Sequence, residues 1–520
     1  MEKLSRRQAL RGIGAVSLAF GFGALLTACG GSSNTASSTT TSGTSSSSAP
    51  SPAPNSQAPA ATAPANVQPA GAAVQPTPIP ASIIVATPGS TPIAADAGAP
   101  PPDLIAKPPK SAQPITLRFH MRTGGDKSEA AIYVYRPGEW MQQTGNKVTL
   151  EPIPGDANYF PKIISLAAAG TIGDLTWTSD VQAGHTHLVV ANVLEPVDSY
   201  MASYKISKDE WVKAITDSLT YNGKMYGMPK TGHPGACYVW INLDMFKKAG
   251  IPEPPVYGNT WDDLHSWAVK LTKGPADRRD VYGFFYDINP GDIQGITDGV
   301  RSFGGDILSP DGTKALIDQQ PFKDWLQWMY QMIVVDKVHP LGDSVPSGGV
   351  VSLFAAQKLA MVNNQRSFHF QARNAVKDAF QMKVIQLPRG PKAMGWLSAI
   401  DTHSVTAASK YKDEAFTLTY ALADKRFAYL VGKFNGYLTG RIDNLDDLGP
   451  YASDPFLQLQ QKCTTQEERG MWRPKNLREP EIETALFNNL DTIWLGKSQP
   501  DSTFISGLQQ AVTDILAKPQ

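Results

Sequence analysis

The pattern of apolar and polar residues changes near residue 115. From there to the end, short segments with strand-like patterns, such as ITLRFHM at 115–121, are separated by segments with helix-like patterns. Strands that alternate with helices indicate a parallel sheet with helices on its faces. The chain from 113 to 520 is therefore predicted to be an α/β structure, and its length suggests two domains.

The predicted strands share short runs rich in β-branched, aromatic and other apolar residues. They are ITLRFHM, KVTLEPI, GDLTWTS, CYVWIN, VYGFFYD, FQMKVIQLP and WLSAIDTHSVT. The predicted helices are about Asp126 to Thr144, YFPKIISLAAAG, LDMFKKAG, a helix after Thr260, FKDWLQWMYQMIVV, and most of the chain after Lys410.

Turn and cap residues mark several boundaries. Asn222-Gly223 predicts a hairpin, and Pro310-Asp311-Gly312 predicts a second one. Gly170 and Gly250 are predicted to end helices, and Thr260 to begin one as the N-cap of a capping box.

The first 29 residues have the pattern of an export signal. Three arginines precede an apolar run from 13 to 26, which is shorter than the ~20 residues needed to span a bilayer. Leu26-Thr27-Ala28-Cys29 resembles the lipobox of bacterial lipoproteins, in which the cysteine is acylated. An ordinary signal peptide and an uncleaved anchor are the alternatives. Ser5 to Arg11 resembles a twin-arginine motif, although Ala9 stands where an aromatic is usual, so both export routes stay open.

Residues 30–112 are predicted to be a disordered tether. No charged residue occurs from Gly30 to Ala95, and Ser and Thr give way to Pro and Ala. Such a composition offers too little apolar surface to offset the entropy of ordering. A coil of this length has a root-mean-square span of ~50 Å.

Charge and cysteine content narrow the functional classes. Lys and Arg total 47 and Asp and Glu total 47, so the zero net charge argues against nucleic-acid binding and weakly favours a neutral ligand. Besides Cys29, the chain has Cys237 and Cys463, which could form a disulfide or stay buried thiols.

No sequence signature of catalysis was found. The chain lacks a nucleophile elbow, a phosphate-binding loop and an HExxH pair, so no metal or cofactor is predicted. The His185-Thr186-His187 pair is more typical of a loop or a helix start than of a metal site. A secreted carbohydrate-active enzyme is kept as an alternative. No segment singles out a catalytic carboxylate pair, but the 47 Asp and Glu residues do not exclude one.

Five motifs in a fixed order resemble a known family. They are AAAGTIGDLTW at 167–177, VLEPVDSYM at 193–201, YNGKMYGMPK at 221–230, VWINLDMFKKAGIPEPP followed by TWDDL at 239–264, and LFAAQKLAMV at 353–362. Together they resemble the extracellular solute-binding proteins of bacterial ABC importers, in the carbohydrate-binding group. Gln357 stands where that group has a glycine.

The resemblance implies a two-lobed periplasmic-binding-protein fold with a hinge and a central ligand cleft. Lobe 1 would span about 113–236 with later returning segments, and lobe 2 about 237–400 with C-terminal helices. It implies a monomer without enzymatic activity that binds a sugar or oligosaccharide and delivers it to a membrane permease. A polyol, a peptide or a charged osmolyte such as a polyamine is the alternative ligand. With the lipid on Cys29, the protein would be attached to the cell membrane from outside the cytoplasm, either in a periplasm or at the cell surface.

The resemblance also implies which residues contact the ligand, since ligands bind beyond the carboxyl ends of the strands. The candidates are Arg122, Asp126, Lys127, Trp177, Asp180, His233, Asn364, Arg366, Phe368, Trp396 and Trp472. An indole ring suits the C–H face of a pyranose, and a carboxylate accepts hydrogen bonds from paired hydroxyls. Trp177 could instead be a core residue, Asp126 a helix N-cap, and His233 a loop residue without function. Trp240, Trp261, Trp267, Trp325 and Trp328 are assigned to packing.

Overall fold

The structure is a computed structural model, and it describes residues 112–123, 135–155, 158–288, 292–465 and 473–519. The predicted export signal, the lipobox with Cys29 and almost all of the predicted tether lie outside these ranges.

Short strands of apolar and β-branched residues form the two main sheets of the molecule and one small hairpin. They are β1 Thr116–Thr123, β2 Lys147–Pro154, β3 Leu175–Ser179, β4 Thr220–Tyr221, β5 Lys224–Met225, β6 Met228–Pro234, β7 Tyr238–Asn242, β8 Tyr282–Phe285, β9 Leu359–Asn364, β10 Met382–Gln386 and β11 Ser398–Val405.

The α-helices surround these sheets and follow most of the strands. They are Arg136–Thr144, Tyr159–Ala168, Gly184–Val190, Asp198–Tyr204, Lys213–Ser218, Leu243–Lys248, Trp261–Leu271, Gln294–Ser302, Gln320–Tyr330, Gly349–Ala355, Phe368–Val376, Lys412–Ala421, Lys425–Asn435, Pro455–Thr465, Glu479–Trp494 and Ser502–Leu516.

Two separate sheets define two lobes. The first sheet has the order β2-β1-β3-β11-β6, in which β1 pairs in parallel with β2 and β3, and β11 lies antiparallel between β3 and β6. The second sheet has the order β10-β7-β9-β8, with β8 parallel to β9. The predicted α/β class and two-lobed architecture are confirmed.

The chain passes between the two sheets at 235–237 and again at 387–397. These crossing segments pair with each other: the Gly235 N–H donates to the Leu397 carbonyl at 2.8 Å, and the Leu387 N–H donates to the Cys237 carbonyl at 2.7 Å. A Cβ at position 235 would lie 2.4 Å from the Gln294 side chain. Only glycine at this position therefore lets the first crossing segment approach the helix Gln294–Ser302 so closely.

Asp298 fixes both crossing segments from the helix Gln294–Ser302. Its buried carboxylate accepts hydrogen bonds from the Ala236 N–H at 3.1 Å and from the Leu397 N–H. Burial raises the pKa of Asp298 to about 8. One turn later, Arg301 donates to the Trp396 carbonyl and pairs with Asp306 at 2.8 Å. A single helix thus sets the position of the junction between the lobes.

The local sequence signals agree with the structure at several boundaries. Strands β4 and β5 form the hairpin predicted at Asn222-Gly223, and the Thr260 hydroxyl accepts the Asp263 N–H in a capping box. Gly170 and Gly250 adopt left-handed φ angles of 67° and 62° just after their helices. The turn at Pro310 is closed by the single bridge between Leu308 and Ala315.

The buried residues include most of the tryptophans assigned to packing and both cysteines of the described chain. The tryptophans assigned to packing lie in the main core or against it, namely Trp240, Trp261, Trp267, Trp325 and Trp328. Cys237 and Cys463 are buried free thiols, so the disulfide alternative is not realised in this structure. The first predicted helix falls partly outside the described residues, within which it begins at Arg136. None of the helices in the described ranges has the length and apolarity to span a membrane.

We predict that Asp298→Ala lowers the free energy of unfolding by about 3 kcal/mol, because it leaves two buried backbone N–H groups without acceptors. Urea unfolding measures this. Asp324→Ala, at an exposed position on the helix Gln320–Tyr330, is the matched control and should change stability by less than ~0.5 kcal/mol. Equal effects of the two substitutions would contradict the role given to Asp298.

Candidate functional site

The candidate site lies where the strand ends of the two sheets meet the crossing segments. In lobe 1, parallel strands β1, β2 and β3 end at Thr123, Pro154 and Ser179. In lobe 2, parallel strands β8 and β9 end at Phe285 and Asn364. Loops after the carboxyl ends of such strands are where α/β proteins bind ligands.

Arg122 and Trp177 lie near the carboxyl ends of β1 and β3 in lobe 1. The guanidinium carbon of Arg122 lies 4.9 Å from the centre of the Trp177 ring, and Phe160 stacks on that ring at 5.6 Å. Trp177 is only 6% exposed and belongs to a small apolar cluster with Tyr159 and Ile163. The structure therefore gives Trp177 the packing role that was its alternative, and leaves half-buried Arg122 as the polar group at this strand end.

Asp180 is buried and already has partners. Its carboxylate accepts the Ser398 hydroxyl and the Ile400 N–H, each at 2.8 Å. Burial raises the pKa of Asp180 to about 6, while Arg473 and these hydrogen bonds act in the opposite direction. In this structure Asp180 anchors the start of β11 to the end of β3.

Arg473 is the residue of this region that sequence analysis missed. It pairs with Asp292 at 2.9 Å and with Glu479, and it donates to the Ser398 carbonyl at 3.3 Å. It therefore links the loop after β8, the start of β11 and the C-terminal helix Glu479–Trp494. Its position directly after Trp472 was the available signal, but its partners are remote in sequence.

The same helix also contacts lobe 1. Glu479 accepts the Gln182 backbone N–H at 3.1 Å, and Glu483 accepts the Gln182 side-chain amide at 3.3 Å. Gln182 and Ala183 have positive φ angles of 55° and 54°, which non-glycine residues rarely adopt. Burial raises the pKa of Glu479 to about 8, against the effect of Arg473.

His233 ends β6 beside the first crossing segment. It is buried, and its Nδ1–H donates to the Pro234 carbonyl at 2.6 Å. Burial, together with the nearby charge of Arg366, holds its pKa well below the usual value. His233 is therefore a neutral group at neutral pH.

Of the remaining candidates, two are polar residues near the carboxyl end of β9 and two are buried aromatic residues. Asn364 is half-buried at the end of β9, and Arg366 follows it at the junction. Phe368 is 2% exposed and packs on Trp240 at 4.9 Å, so we assign it to the core rather than to ligand binding. Trp396 is equally buried on the second crossing segment, and we assign it to packing as well.

Three candidates, Asp126, Lys127 and Trp472, lie outside the described residues. Within the described ranges no group of three or more His, Cys, Asp or Glu residues is arranged to hold a metal ion. His185 is buried and bonds to the Thr178 hydroxyl at 2.8 Å, and burial lowers its pKa to about 4. It lies at the start of the helix Gly184–Val190, as the pattern indicated.

Comparison with known proteins places the chain in a family. The profile of the family described as bacterial extracellular solute-binding protein matches residues 125–425, more than half of the 520 residues. The chain therefore belongs to this family. Among curated protein sequences, no match is found.

Solved structures of low sequence identity share the fold. An ABC substrate-binding protein of Listeria monocytogenes in complex with cycloalternan is 19% identical, with a TM-score of 0.65 over 77% of this chain and 99% of that one. The sugar-binding protein MalE of Xanthomonas citri is 16% identical, with a TM-score of 0.66 over 77% and 97%. An ABC transporter solute-binding protein of Agrobacterium vitis with bound D-mannitol is 18% identical, with a TM-score of 0.59 over 77% and 98%.

We predict that Glu479→Gln gains stability relative to the native protein as pH rises from 5 to 8. The folded-state pKa of about 8 exceeds the ordinary value of 4.5, so in this window the folded state binds more protons than the unfolded state. The glutamate therefore lowers the free energy of unfolding progressively with rising pH, and a neutral glutamine does not. Urea unfolding at pH 5, 6.5 and 8 measures the difference.

Glu253→Gln is the control for this experiment. The pKa of Glu253 is lowered by Lys383, so its contribution is lost only as pH falls below about 4.5 and should be constant from pH 5 to 8. A Glu479→Gln difference that is also constant across this window would show that Glu479 is ionised throughout.

Proposed function

We propose that this protein is the lipid-anchored, extracytoplasmic binding component of an ABC importer, and that it captures a sugar or oligosaccharide between its lobes. The observation that carries the proposal is the family match, which is supported by a fold of two sheets joined through the paired crossing segments 235–237 and 387–397. Several proteins with this fold have been solved with carbohydrate or polyol ligands, including cycloalternan and D-mannitol.

Capture would proceed by hinge closure. The crossing segments 235–237 and 387–397 connect the lobes, and their mutual hydrogen bonds make them a paired hinge. A ligand that contacts both lobes stabilises the closed arrangement over the open one, because its contacts are complete only when the lobes meet. A permease can then distinguish loaded from empty protein by shape.

The ligand contacts proposed here are the half-buried Arg122 and Asn364, the buried Arg366, and the three candidates outside the described residues, Asp126, Lys127 and Trp472. Lys127 and Trp472 would supply the hydrogen-bond donor and the flat apolar surface that a pyranose requires. A polyol is the second candidate ligand, since D-mannitol is bound by one protein of the same fold. Capture needs no turnover, whereas a carbohydrate-active enzyme would release shortened sugars.

We predict that the full chain binds at least one sugar or polyol with one-to-one stoichiometry and without chemical change to it. Calorimetric titration against mono- and oligosaccharides, polyols, amino acids and polyamines measures this, with chromatography of the recovered ligand. Asp126→Ala should weaken binding ~10-fold or more, since a hydrogen bond to a charged group contributes about 1.5–3 kcal/mol.

Asp277→Ala, at an exposed loop position, is the matched control and should bind as the native chain does. Binding only of amino acids or polyamines would contradict sugar capture while leaving the solute-binding role intact. Cleavage of an oligosaccharide would support the enzyme alternative instead.

We predict that Cys29→Ser releases the protein from the membrane. The sequence Leu26-Thr27-Ala28-Cys29 and the charge-free stretch behind it resemble an acylation site and its spacer. Fractionation of producing cells should find the native chain with membranes and the variant in the soluble fraction. Equal membrane association of both would favour an uncleaved anchor over a lipid.

A further inference from the structure

Arg366 is a buried cation without a carboxylate partner among the described residues. Its side chain is 8% exposed, it donates to the Leu438 carbonyl at 3.0 Å, and its guanidinium carbon lies 4.0 Å from the centre of the Tyr437 ring. These are neutral partners, and they engage one edge and one face of the guanidinium.

The other buried arginines of the described chain all have carboxylates. Arg136 pairs with Asp424, Arg301 with Asp306, Arg441 with Glu210, and Arg473 with Asp292 and Glu479. A desolvated guanidinium without a counterion is costly, which is why buried charges are normally paired. Arg366 thus departs from the rule that the rest of this molecule follows.

Asp401 does not replace the missing partner. It acts on Arg366 electrostatically, but within the described ranges its carboxylate pairs with Lys230 at 4.0 Å and not with Arg366. Burial lowers the pKa of Arg366. Neighbouring His233 is neutral, so it adds no charge next to the guanidinium.

The location of Arg366 is that of a ligand contact. It lies two residues beyond the carboxyl end of β9, in the loop before the helix Phe368–Val376. It is close enough to His233, at the end of β6 in lobe 1, to influence its titration. Tyr437 and Leu438 belong to the segment that returns to lobe 1, where the Thr439 carbonyl accepts the Gly232 N–H at 2.8 Å. Segments of both lobes therefore meet around this guanidinium.

The unused nitrogens of Arg366 are also reachable. None of its side-chain nitrogens is among the atoms that are both sealed from solvent and without a hydrogen-bond partner. Since the Leu438 carbonyl is its hydrogen-bond acceptor in the described structure, its other N–H groups are not completely sealed from solvent. A guanidinium with free N–H groups and a face held by an aromatic ring suits bidentate binding of an oxyanion.

We propose that Arg366 binds an anionic group of the captured ligand, a carboxylate or a phosphate, so that the substrate class is an acidic sugar rather than a neutral one. This inference rests on the proposed function and specifies that its ligand is negatively charged. The anion supplies the counterion that the protein withholds, and Tyr437 fixes the plane in which the two charged groups meet.

The test is calorimetric titration of the full chain with glucose, glucuronate and glucose 6-phosphate, the last two separating a carboxylate from a phosphate source. We expect one of the anionic sugars to bind at least ~10-fold more tightly than glucose, because charge-assisted bonds are about twice as strong as neutral ones. Arg366→Gln should abolish this preference, and Arg366→Lys should retain part of it.

Arg373→Gln is the matched control, since it removes one positive charge from an exposed position on the adjacent helix. It should leave the preference unchanged. Thermal unfolding of each variant establishes that it is folded, and the comparison of glucose with the anionic sugars on the native chain gives a readout that needs no variant.

Two results would overturn the inference: glucose binding as tightly as both anionic sugars, or an anionic preference that persists in Arg366→Gln. Binding of neutral sugars alone would overturn the acidic-ligand inference and leave sugar capture intact. Failure of every sugar, neutral or anionic, to bind would instead contradict the proposed function itself.

Discussion

The two-lobed structure depends on the contact between the Asp298 carboxylate and the two crossing segments. A carboxylate has several lone pairs, so one buried side chain accepts backbone N–H groups from both segments. The helix Gln294–Ser302 carries this residue within lobe 2, so a helix and not a loop fixes the position of the junction. The first crossing segment directly follows β6 and the second directly precedes β11, so the ends of these strands take their positions from it.

The ionisable groups around this junction fix the positions of chain segments more than they stabilise the fold. Asp180, Arg473 and Glu479 are buried and Asp292 is half-buried, and networks of buried ionisable groups are weak contributors to folding. Their value is that Arg473 holds the loop after β8, the start of β11 and the C-terminal helix in one geometry. Arg366, a few residues beyond β9, contrasts with them because its charge is left for a ligand.

Sequence analysis predicted the elements whose causes are local. The Asn222-Gly223 turn, the Thr260 capping box and the glycines after two helices depend on neighbouring residues, so their patterns are visible in the chain. Asp298 could not be found this way, since its partners are 62 and 99 residues distant. The packing of Phe368 on Trp240 could not be predicted either, because a position soon after a strand is shared by ligand contacts and core residues.

Small-angle X-ray scattering of the full chain, with and without the ligand found by calorimetry, tests the central claim that the ligand is held between two lobes joined by a hinge. If the account is right, saturating ligand changes the scattering profile toward a more compact molecule, and Asp298→Ala weakens or abolishes that change. Unchanged scattering at saturation would contradict hinge closure and place the ligand on one lobe alone.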